Sequence, residues 1–157
     1  MKKLLIPSIF FVLLISFSFA QKPYKVVFYN LENFFDTIND PEVLDDEFTP
    51  DGPKKWNTAK YNKKLNNTER VLFDIAAIDK NYPIVIGVSE VETRGVLEDI
   101  VATPKLAPAN YRIAHFDSPE ARGVDVAFLY RPDVFKIEGQ YPVKTVIPSL
   151  PHFKTRD

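Results

Sequence analysis

Between Pro83 and Glu90 the chain reads Ile84-Val85-Ile86-Gly87-Val88-Ser89, an uncharged run with little alternation. That pattern belongs to a strand covered on both faces, so it demands layers of structure around it. A second β-rich run, Tyr24 to Tyr29, precedes it and ends at Asn30. Between the two, Asn57 or Thr58 can cap a helix running to about Asp79. Tyr61, Leu65, Val71 or Leu72, Ile75 and Ile78 recur there at helical spacing, and Lys60, Lys63, Lys64 and Glu69 take the other face. A shorter helix from about Arg94 to Val101 follows. Strand patterns then cover Tyr111 to Phe116 and Val124 to Tyr130, and after the turn at Arg131-Pro132-Asp133 another covers Phe135 to Glu138. Strand, helix, strand, helix and a run of strands predict an α/β layered fold with a mixed sheet.

The first twenty residues stand apart. Lys2 and Lys3 open the chain, Leu4 to Phe19 carries no charge, and Ser18-Phe19-Ala20 ends in small residues at the positions a signal peptidase grips. This is the layout of a secretory leader cut before Gln21, and it predicts an exported (periplasmic or extracellular) product with no stable membrane anchor after cleavage. An uncleaved anchor is the alternative, marginal in length for a span of about 20 residues. Losing the leader takes two lysines and no acids from a balance of 20 basic and 21 acidic side chains, leaving 18 against 21. A chain of that balance has no global basis for gripping duplex nucleic acid. It has no cysteine, which excludes thiolate zinc sites and disulfide stabilisation. The remainder suffices for one domain, residues 21–157.

Two polar residues end the apolar strands: Asn30 the first and Glu90 the second. Ligand sites of layered α/β folds collect at such strand ends. A carboxylate there suits Mg²⁺, which takes one or two protein oxygens and leaves the rest of its octahedron to water and substrate phosphate. An adjacent asparagine amide can orient that carboxylate or donate to the phosphate. The same residues also serve as ordinary turn formers.

Other features admit two readings each. His115 and Asp117 are spaced to share one strand face, as an acid/base pair or as a turn-stabilising one. Arg122 can bind substrate phosphate bidentately or pair with Asp125. Asp125 interrupts an apolar strand and needs a partner, either Arg122 or the metal region. Lys54, Lys55, Trp56, Lys60, Tyr61, Lys63 and Lys64 interleave basic and aromatic groups, as a nucleic-acid surface does, or form a solvated helix face with core-facing rings. The acidic loop from Asp36 to Asp51 lacks the spacing of an EF-hand loop and reads as solvated. Asn66-Asn67-Thr68, a glycosylation sequence, falls in the expected helix and carries no weight.

Three segments in order, Phe28-Tyr29-Asn30-Leu31-Glu32-Asn33-Phe34-Phe35-Asp36, Gly87-Val88-Ser89-Glu90-Val91-Glu92 and Arg122-Gly123-Val124-Asp125-Val126-Ala127-Phe128-Leu129-Tyr130-Arg131, resemble the opening half of the endonuclease/exonuclease/phosphatase family, in the form of its exported bacterial members. The resemblance implies a DNase I-like four-layer α/β/β/α sandwich with mixed β-sheets, of which this chain is the N-terminal half, truncated. It implies hydrolysis of phosphate esters with Mg²⁺, or Mn²⁺ in its place. Asn30 is then the first-strand catalytic asparagine and Glu90 the metal-binding glutamate, with Arg122, His115 and Asp125 as candidates for substrate binding. The substrate is a phosphate ester, nucleic acid among the options. The family's later Asp-x-Asn and Asp-His motifs have no counterpart after Glu90, where the only histidines are His115 and His152. The expectation is therefore a Mg²⁺-dependent phosphodiester hydrolase that is incomplete and inactive as this fragment. The rival is a non-catalytic binding or interaction module that meets a partner with an apolar sheet face.

Overall fold

The structure, a computed structural model, describes residues 23–143 and 148–149. The expectations about residues 1–20 and about His152 lie outside the described residues. Four strands, β1 (Val26–Phe34), β2 (Val85–Val91), β3 (Arg112–His115) and β4 (Asp125–Tyr130), form one mixed sheet in the order β1-β2-β4-β3. β1 and β2 run parallel, and the other two pairings are antiparallel. The parallel pair needs a crossover, supplied by helix α1 (Thr58–Ala77); a second helix, α2 (Arg94–Ala102), follows β2. The expected α/β class with a mixed sheet is what forms.

The Asn57 side chain accepts from the Lys60 amide and starts α1, as its position in the sequence suggests. At the other end Lys25 Nζ donates to the Ile75 carbonyl and pairs with Asp79 at 2.6 Å, placing a cation where the helix dipole is negative. Tyr61, Leu65, Thr68, Leu72 and Ala76 form the inward stripe. Ile78, expected on that stripe, is exposed because the helix has ended at Ala77 and the chain turns.

One sheet face packs under the helices. Ile86, Val88, Ala127 and Leu129 meet Leu72, Val96, Leu97 and Ile100 there, with Phe34 fully buried beside them. Each large apolar side chain so buried contributes roughly 1.5–3 kcal/mol. The other face departs from the sequence expectation of a strand covered on both sides. Val26, Phe28 and Phe128 are 68%, 69% and 56% exposed on it. Gly87 lies between the two phenylalanines, and a Cβ there would stand 3.0 Å from the Phe28 ring, so the glycine lets neighbouring rings converge on this face. Residues 135–143 edge a 640 Å³ apolar hollow on it, and Phe135 to Glu138 forms no strand, contrary to the sequence pattern. Tyr130 packs edge-on against Phe135, whose amide closes the preceding turn onto the Arg131 carbonyl.

Candidate active site

The strand directions gather the candidate residues at one sheet edge. β1, β2 and β3 deliver their C-terminal ends there and β4 its N-terminal end, so Asn30, Glu90, Asp125 and His115 share that edge. Asn30 stands opposite Ser89, and Ser89 opposite Val126.

Both parallel strands break register just where chemistry is expected. β1 shifts between Asn30 and Phe34, through Glu32 and Asn33 at φ 55° and 61°, and β2 shifts between Ser89 and Val91, with Glu90 at φ 61°. None of the three is glycine, and each left-handed residue costs of order 1–3 kcal/mol, a strain concentrated at functional sites. A bulge also re-aims the side chain it carries. The strain in β1 is held by polar ties. Asn30 Oδ1 accepts from the Glu32 amide at 2.7 Å, and Lys64 Nζ donates to the carbonyls of Glu32 and Asn33. Arg122 Nη1 donates to Asn33 Oδ1 at 3.1 Å. With its Oδ1 engaged, Asn30 presents the NH₂ end of its amide as the group that can donate.

Arg122 is itself positioned. Glu120 accepts from its backbone amide at 2.8 Å and from its Nε at 3.1 Å. Burial works to raise the Glu120 carboxyl, but the hydrogen bonds and charge of Arg122 outweigh it and hold the group below the ordinary glutamate range. Arg122 therefore pairs with Glu120 and not with Asp125, the partner considered from sequence. Asp125 is instead 3% exposed at its side chain and accepts from His115 Nε2 at 2.8 Å and from the Ser118 amide at 2.7 Å. His115, 4% exposed at its side chain, thus takes Asp125 rather than Asp117 as its hydrogen-bond partner. As candidates for substrate contact, the two are spent first on each other. Strand pairing decides this, since it stacks His115 against Ala127 beside Asp125, a neighbour invisible in local spacing. His115, Asp117 and Asp125 still present ligand atoms within 4.8 Å of one another, the one such group among the described residues.

Sequence reasoning missed Glu92, although it lies in the Ser89-Glu90-Val91-Glu92 segment that signalled the site. It is 7% exposed, accepts from the Asp36 amide at 2.6 Å and meets the buried Asp45 side chain. Burial is the main cause that pushes its carboxyl up to about 8; the Asp36 amide opposes this, and the charges of Asp36 and Asp45 add to it. The acidic loop is consequently not just a solvated one. Asp45, 1% exposed, accepts from the Asp40 amide at 2.9 Å, and Phe48 stacks on Phe35 at 4.0 Å. The loop is folded onto the sheet edge, with the Leu44 amide donating to the Ala121 carbonyl beside Arg122.

A scan of family models matches residues 25–157 to the endonuclease/exonuclease/phosphatase family. The chain belongs to that family. Comparisons with curated proteins and with solved structures returned no match. The family assignment makes this a nuclease- or phosphatase-type hydrolase domain, and the sheet with its helices is consistent with part of a DNase I-like fold. Endonuclease/exonuclease/phosphatase domains are typically metal-dependent, and two groups here have the chemistry for an ion: Glu90 at its bulge, and the His115, Asp117, Asp125 trio. In the trio, both Asp125 oxygens already accept hydrogen bonds within the fold.

Proposed function

We propose that the chain carries the Asn30–Glu90 half of a Mg²⁺-dependent phosphodiester hydrolase site. The observation that supports this best is the pair of facing register breaks, which accompany an exposed Asn30 and a left-handed Glu90 on adjacent strands. The donor set fits a hard cation: Glu90 offers carboxylate oxygen, no thiolate exists in the chain, and Mg²⁺ asks for only one or two carboxylates. Glu90 would hold the ion, with Mn²⁺ as the substitute. When bound, it would stabilise the charge that develops at phosphorus and on the leaving oxygen.

The chain's own residues supply positioning. The Asn30 NH₂ donates to a non-bridging phosphate oxygen, its rotamer fixed by the Glu32 amide. Lys64 and Arg122 keep the turn beneath Asn30 in its strained form, so the donor is oriented before substrate arrives. Export belongs to the same proposal, supported by the leader pattern of residues 1–20; N-terminal sequencing of the released product should begin at Gln21.

The test is isothermal titration of Mg²⁺ or Mn²⁺ into the chain, where binding should vanish in Glu90→Ala, beside hydrolysis of bis(p-nitrophenyl) phosphate and of an oligonucleotide by the full-length protein. Activity should disappear in EDTA and fall sharply in Glu90→Ala. Activity indifferent to both would overturn the reading. A second reading, a non-catalytic interaction module, is favoured by the open apolar face of Val26, Phe28 and Phe128. It is distinguished by a folded chain that binds no metal and hydrolyses neither substrate.

A further inference from the structure

Beside Asn30 a groove of about 370 Å³ runs between the end of β1 and the first half of α1. Tyr29, Asn30 and Glu32 form one wall; Lys60, Lys63 and Lys64 are on the other, with Trp56 and Asn67 beside them. Its lining therefore carries three cationic side chains against one acid. Lys60 and Lys63 are exposed and one helical turn apart, Lys60 Nζ donating to the Lys54 carbonyl, whereas Lys64 is half-buried and committed to the turn at Glu32. The cationic stripe of α1 thus lines a groove that Asn30 also lines.

We propose that this groove is a subsite for single-stranded polynucleotide, in which Lys60 and Lys63 hold the phosphate next to the one presented at Asn30. It rests on the hydrolase reading for the place of the reacting phosphate, and adds the class of substrate. Charge complementarity selects a polyanion: the cationic side chains converge on one groove, while the chain as a whole carries a net charge of −1. The narrowness of that basic strip selects a single strand, since duplex binding needs phosphate contacts over a broad face. A bilayer lipid would instead want apolar surface within the groove, and the residues that α1 contributes to it, Lys60, Lys63, Lys64, Asn67 and Thr68, are all polar.

Trp56 gives a direct readout. It is the only tryptophan of the chain and lines the groove, so its emission reports on occupancy there. The full chain is titrated with single-stranded oligothymidylate in EDTA, where metal plays no part, over a series of salt concentrations. The expected result is saturable quenching that weakens with salt. In Lys60→Ala/Lys63→Ala the affinity falls several-fold and the slope of log K against log salt shrinks by about 0.7, the value for one phosphate contact on a single strand. Alanine preserves the helix at both exposed positions, which circular dichroism checks. Lys136→Ala, an exposed lysine elsewhere, keeps the wild-type slope. The proposal is overturned by absence of saturable quenching, by a double variant that matches the wild type, or by quenching with phosphatidylserine vesicles and not with the oligonucleotide. Failure of the hydrolase reading shows separately, as absent Mg²⁺ and Mn²⁺ binding in isothermal titration of a chain that still binds the oligonucleotide.

Discussion

The two ends of one sheet edge use polar residues in opposite ways. On β3 and β4, His115 and Asp125 are almost fully buried, in regular backbone, and satisfied by each other and by Ser118. On β1 and β2, Asn30 is exposed, Glu90 is half-exposed, and the backbone around them is bulged and left-handed. The first arrangement holds a loop in place; the second holds groups ready at the cost of strain. A polar residue ending an apolar strand is therefore not one kind of signal. Burial and backbone conformation separate the structural pair from the one proposed to act, and Arg122, tied to Asn33 and carried on the loop that Asp125 anchors, joins the two.

The comparison can be broken from either side. Asp125→Ala leaves His115 and the Ser118 amide without their acceptor, and should cost about 3 kcal/mol or more of unfolding free energy in urea titrations. Glu90→Ala should do the reverse, lowering metal-dependent hydrolysis by about 10²–10³-fold while moving the urea midpoint far less than Asp125→Ala does. If the two variants exchanged these effects, the division of labour would be wrong. Arg122→Ala tests the link: it should cost about 1 kcal/mol and slow turnover several-fold, through a looser turn under Asn30, measured as kcat and KM with the small diester. The smallest effect belongs to Glu120→Gln. Because the folded state holds the Glu120 carboxyl low, its stabilisation is present above the ordinary glutamate range near 4.3 and is lost as pH falls through the folded value. Wild type and variant should thus differ most at neutral pH and converge as the pH falls below the folded value in urea titrations.

Local periodicity made much of this legible. The Asn57 cap, the inward stripe from Tyr61 to Leu72, and the apolar strands that lead to Asn30 and Glu90 all follow from spacing within a few residues, although the strands run past those two residues to Phe34 and Val91. Three ordered motifs were enough to indicate the family that the match over residues 25–157 assigns. What spacing could not reveal is every tie between distant segments: Lys64 to Glu32, Arg122 to Asn33, Glu92 to the Asp36 amide, and His115 to Asp125 in place of the nearer Asp117.

The sequence by itself determined the two helices and the four strands, though not that Phe135 to Glu138 stays out of the sheet, because those choices depend on hydrophobic period and capping within each segment. Only the tertiary structure decided which polar groups are buried together, which backbone is strained, and which lysines of α1 face the site. Those outcomes depend on sheet order and register, which bring residues dozens of positions apart within hydrogen-bond distance.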